Sequence, residues 1–149
     1  LEKASSLATV HGIAQVAGVL TVLPLSDYIG RRKTILLSNA FVALAVIGIL
    51  TQGTSWLMLS LFVALLAVFY GVTFPVYGAC AGDYFRKEIM GTVIGAWTPF
   101  YGLGAILSHW IGGMLRDAQE SYGPAFALDA LAAFLAVGFF FFVKPLSKR

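Results

Sequence analysis

The chain has 149 residues, 59% hydrophobic and only 11% charged, with a net charge of +3. A soluble domain carries roughly 25% charged residues, so this chain cannot cover a water-facing surface and is read as an integral membrane protein. Its single cysteine, Cys80, excludes an internal disulfide, and the positions of its cations explain the basic excess without a nucleic-acid partner.

Five membrane spans are predicted in chain order, at about 4–26, 34–50, 56–81, 89–115 and 124–143. No Asp, Glu, Lys or Arg occurs from Ala4 to Ser26, nor from Thr34 to Gly82. About 18–20 such residues cross a bilayer core as a helix. The first run is too long for a signal-peptide core, and Arg31-Arg32-Lys33 follows it rather than a small-residue cleavage site. The chain opens on Leu1 and enters a span almost at once, which reads as a piece of a longer protein.

Between the first two spans the chain must reverse in a few residues, and Gly30 supplies the left-handed backbone that such a turn favours. Asp27 stands at a helix carboxyl end, and Arg31, Arg32 and Lys33 stand at a helix amino end. Both placements oppose the helix dipole, so these charges answer to partners beyond their own helices. Lipid phosphate suits the cations, and an arginine or another helix's amino terminus suits the carboxylate.

Further along, Gln52 to Ser55 form a polar turn, with Trp56 at the interface where indoles concentrate. Asp83 to Glu88 is a second charged loop, Arg116 to Gly123 a third, and Pro124 opens the last helix. Eight of the ten Lys and Arg fall on one side: three after the first span, two after the third, and Lys144, Lys148 and Arg149 in the tail. Lys3 and Arg116 alone fall on the other. The positive-inside rule therefore puts the amino end outside and the carboxyl end in the cytoplasm, in a plasma (inner) membrane.

Leu25-Ser26-Asp27-x-x-Gly30-Arg31-Arg32-x-Thr34 resembles the signature loop of the major facilitator superfamily, G-x-L-[AS]-D-x-x-G-R-[RK]-x-[TS]. It departs at the first position, where Leu23 stands for the usual Gly and Pro24 follows. Asp83-Tyr84-Phe85 with Gly91-Thr92-Val93-Ile94-Gly95 also resembles that family's passage from its tenth to its eleventh helix. The third span lacks the arginine, and the fourth the G-x-x-x-G-P pattern, of the family's amino-terminal half. The resemblance implies an all-α membrane fold of twelve helices, of which this chain would be one partial carboxyl-terminal bundle, about helices eight to twelve. It also implies secondary transport by alternating access, a missing amino-terminal half and a coupling proton or counter-solute. Asp27, Gly30, Arg31 and Arg32 would form a cytoplasmic gating loop, and the second and fifth spans would face lipid.

Polar side chains at membrane depth are costly and mark candidate solute paths. His11 and Gln15 share a face of the first span, as do Thr73 and Tyr77 in the third, since residues four apart stack on a helix. Trp97, Thr98 and Tyr101 lie in the middle of the fourth span, with Ser108 and His109 nearer the outside. A membrane-embedded Tyr or Thr also bonds neighbouring helices, and that plainer role competes at each position. Gly91 and Gly95, like Gly78 and Gly82, would let a second backbone approach, and Pro99 would kink the fourth helix. Asp129, the one formal charge inside a span, is read as pairing with Arg116 or as hydrated rather than as a proton relay.

No Arg or Lys stands inside the spans. The substrate is a small solute, with an organic anion among the candidates; such an anion would need cations from elsewhere or His11. No motif for hydrolysis, nucleotide binding or a metal is present, so the reading is of a non-enzyme without cofactor. The alternative is a non-transporting receptor or assembly protein on the same helices.

Overall fold

A backbone inside a bilayer finds no water, so each apolar run must satisfy its own hydrogen bonds as a helix. The computed structural model describes residues 2–51 and 55–143, and among them no strand occurs. In order come α1 (Glu2–Ile29), α2 (Arg31–Thr51), α3 (Trp56–Gly71), α4 (Thr73–Tyr84), a short 3-10 turn (Lys87–Ile89), α5 (Met90–Gln119) and α6 (Gly123–Phe141). Five helical stretches are long and apolar enough to cross a membrane, with α3 and α4 together making one of them. Gln52, Gly53 and Thr54 of the turn predicted from Gln52 to Ser55, and the basic tail of Lys144, Lys148 and Arg149, lie outside the described residues.

The interruption between α3 and α4 falls at Val72, whose angles (φ −83°, ψ −11°) keep the chain running onward. Pro75 accounts for it. Proline has no N–H to give the carbonyl four residues back, which is Gly71, and its ring crowds that position. Pro99, where the sequence predicts a kink, lies inside the single helix α5.

Two seams show why the helices approach closely. A Cβ placed on Gly18 of α1 would collide with the backbone of Val68 in α3, and one on Gly48 of α2 would enter the ring of Phe62. In lipid, apolar side chains gain little by meeting each other, so association leans on such close fits between small residues and backbones. The glycines predicted to form seams meet open space within this chain: nothing lies within 4 Å of a Cβ built on Gly78, Gly82, Gly91 or Gly95. Spacing put these glycines on shared faces, but no described helix crosses those faces closely.

The second span also takes a different place from the lipid-facing one expected. α2 packs against α1, α3, α4 and α6, and Ser38, Ala43, Ala45, Val46 and Gly48 are all buried. Its bland residues are small, and small residues let it sit between neighbours. Leu37 and Leu44 remain exposed as an outer stripe. α6 keeps more of the expected character, since Phe139, Phe141 and Phe142 are exposed while Phe140 turns inward. A compact core of Ile35, Val72, Val76 and Cys80 closes the bundle near the α1–α2 turn.

Candidate functional site

At the charged end, Gly30 alone separates α1 from α2. Its φ of +97° lies in the left-handed region, its N–H donates to the Ser26 carbonyl at 2.9 Å and its carbonyl accepts from Thr34 at 3.0 Å. The turn is therefore tight, and it projects Arg31 from the first residue of α2. The Arg31 guanidinium donates to Asp27 Oδ1 at 2.9 Å through Nη2, and through Nη1 to Asp83 Oδ1 and the Ala79 carbonyl, both at 2.7 Å. Arg32 donates through Nη2 to the Phe141 carbonyl at 2.8 Å.

These contacts explain the unfavourable dipole placements seen in the sequence. Cations at the amino end of α2 lie beside the carboxyl-terminal parts of α4 and α6, where the negative ends of those helix dipoles favour them. Asp27 finds its partner within its own loop, four residues on. Each ion pair is partly exposed, Arg31 by 28% and its carboxylates by 60% and 42%, so each contributes about 0–1 kcal/mol after screening. The carbonyl bonds make the arrangement directional: one planar guanidinium ties the α1–α2 turn to the end of α4.

The second place is a cavity of about 520 Å³ bordered by all six helices. Of the residues singled out from the sequence, His11, Thr73, Tyr101 and Ser108 line it. The remaining three path candidates lie elsewhere. Gln15 presses its side chain against Gly71 at the α1–α3 seam. Tyr77 accepts a hydrogen bond from Asn39 Nδ2 at 3.1 Å and packs edge-on against Phe140, which is the helix-bonding role that competed for it. Trp97 stacks on Phe74, with ring centroids 4.9 Å apart. His109 turns back on its own helix, with Nδ1 2.7 Å from the Ala105 carbonyl.

Three cavity residues escaped sequence reasoning or were set aside. Asn39 was passed over within an otherwise bland span. Tyr70, which borders the cavity together with Tyr101, lies three residues before Thr73, and that helical spacing was a signal available for it. Asp129 was read as paired with Arg116 or hydrated; Arg116 donates instead to Asp117 Oδ1 at 3.1 Å, on its own helix. Asp129 instead borders the cavity and a smaller adjoining space of about 250 Å³ between α5 and α6. Among the described residues, no group of His, Cys, Asp or Glu is arranged to hold a metal.

Five helical stretches long and apolar enough to cross a membrane, packed around a cavity of mixed apolar and polar lining and closed by arginine contacts at one end, define a helical membrane protein. Residues 2–149 match the Major Facilitator Superfamily, and the chain belongs to that family. It is 29% identical to an uncharacterized transporter of Buchnera aphidicola subsp. Acyrthosiphon pisum over 97% of this chain and 35% of that protein. It is 28% identical to the human solute carrier family 2, facilitated glucose transporter member 11, over 72% of this chain and 22% of that protein. The chain thus spans about a third or less of the length of the curated relatives it matches. No solved structure matches it significantly.

Proposed function

We propose that the chain forms helices eight to twelve of a secondary transporter that carries a small solute by alternating access, amino end outside and carboxyl end cytoplasmic. The observation that carries this reading is the Arg31 guanidinium, held by Asp27, Asp83 and the Ala79 carbonyl at one end of the bundle. Helical bundles that rock about a mid-membrane site need end contacts that are specific in direction and weak enough to break. The ion pairs seen here lie within this one bundle, and their partial exposure leaves the charges of the loop free to exchange partners with the other bundle. Asp27, Gly30, Arg31 and Arg32 then act as the gating loop, and His11, Thr73 and Tyr101 face the solute path through the cavity.

Gly91 and Gly95, which meet open space here, would accept a helix from the remainder of the transporter. The transporter names of both relatives favour solute movement over a receptor or assembly role. An organic anion gains no support from the cavity, where none of the described Lys or Arg residues stands.

The test is Asp27→Asn in the whole transporter, reconstituted into vesicles and assayed for counterflow of labelled hexose, amine and carboxylate probes. Transport falling well below the loss in membrane expression is the expected result. Normal flux with poor expression would reduce Asp27 to a folding role. No counterflow of any probe by the unaltered protein would favour the receptor reading.

A further inference from the structure

The charge within the cavity narrows the solute class, and this step rests on the transport reading above. Asp129 is the only residue with a formal charge that lines the cavity. The described cations are placed elsewhere: Arg31 and Arg32 on the latch, Arg116 on Asp117, and Lys3 with its ammonium 6.0 Å from the centre of the Trp56 ring. Lys33, Arg86 and Lys87 belong to the charged end.

Asp129 lies six residues into α6 from Gly123, which is about 9 Å along the axis at the helical rise, well inside the span. His11 is the one imidazole on the same wall, and a carboxylate at that depth without a Lys or Arg beside it is expensive. An organic anion would add a like charge and raise that cost. An ammonium group would supply the missing counter-charge.

The walls fit the remainder of such a molecule. Phe100, Tyr101 and Phe126 present aromatic surface to the cavity, which attracts cations over ring faces and accepts an apolar body. The hydroxyls of Tyr70, Thr73 and Ser108 offer hydrogen bonds beside it. A volume of about 520 Å³ lies within the 300–1,000 Å³ range of small-molecule sites. We infer that this cavity binds a small organic cation, an amine with an apolar body, whose ammonium group pairs with Asp129.

Three probes of one shape separate the charge classes: benzylamine, benzyl alcohol and benzoate. Binding to the purified whole transporter is measured by calorimetry at neutral pH. The expected order is benzylamine first, about tenfold or more tighter than the alcohol, since a hydrogen bond to a charged group contributes about 1.5–3 kcal/mol and 1.4 kcal/mol is tenfold. Benzoate comes last. Asp129→Asn should erase the gap between amine and alcohol while leaving the alcohol's affinity in place, and Asp117→Asn should change neither.

Equal affinities in the unaltered protein, a preference for benzoate or no binding of the amine each overturn the inference without any variant being needed. An amine preference that survives Asp129→Asn overturns it as well. Amine binding that depends on Asp129, with no counterflow in vesicles, upholds the cation site and counts against transport. Counterflow that ignores Asp129 does the reverse.

Discussion

Asp83 and Asp129 are both exposed carboxylates of this bundle, yet their electrostatic surroundings are opposite. Asp83 receives a 2.7 Å hydrogen bond from Arg31, which also engages Asp27 and a helix-end carbonyl. Asp129 borders a cavity with no lysine or arginine among the described residues. Below the first lies a closed core of Ile35, Val72, Val76 and Cys80; around the second lies open volume. One end of the bundle is charge-compensated and filled. The other is uncompensated and hollow, as a place that receives a ligand should be.

The strongest way to break the contrast is to remove the compensation. Arg31→Ala leaves two exposed carboxylates without their cation and removes the bond to the Ala79 carbonyl, a loss of about 0–2 kcal/mol at about 0–1 for each pair. Transport should fall by about tenfold or more, and Arg31→Lys, which cannot reproduce the planar fork, should rescue only part of it. Thermal unfolding and counterflow, measured on the same preparations, check both statements. Unchanged flux in Arg31→Ala would remove the latch from the mechanism.

Close packing supplies the next comparison. Gly18→Ala drives a methyl group into the Val68 backbone and should cost about 1–3 kcal/mol. Gly95→Ala meets open space within this chain and should shift stability by no more than about 0.5 kcal/mol unless another helix of the whole transporter rests there. A large loss at Gly95 would therefore locate a packing partner outside these five spans. Denaturation midpoints in detergent separate the cases.

A smaller effect is expected at Tyr77→Phe, which removes the acceptor for Asn39 while keeping the ring against Phe140. The cost should be about 0.5–1.5 kcal/mol, with solute affinity unchanged, since Tyr77 holds helices together. Tyr101→Phe, of similar size in stability, should instead weaken binding, because its ring and hydroxyl border the cavity. Reversal of that pair in a binding assay would exchange their roles.

Sequence by itself settled the five spans, the reversal at Gly30 and the family, because each depends on local chemistry: the length of an apolar run, a backbone angle that favours glycine, and ten consecutive residues of signature. It also gave each polar residue a helical face. What crosses that face is decided by tertiary packing, and there the reading diverged. His11 and Gln15 share a side of α1, but one meets the cavity and the other the α1–α3 seam. Thr73 and Tyr77 part in the same way, one to the cavity and one to Asn39. Asp129 had a plausible partner in Arg116 until the end of α5 gave that arginine to Asp117. The small residues of α2 are as apolar as a lipid-facing surface, and only the bundle shows that one side of that helix packs against four neighbours. Helical periodicity fixes the angle at which a side chain leaves its axis, whereas its partner depends on where a second axis passes, and no single helix carries that information.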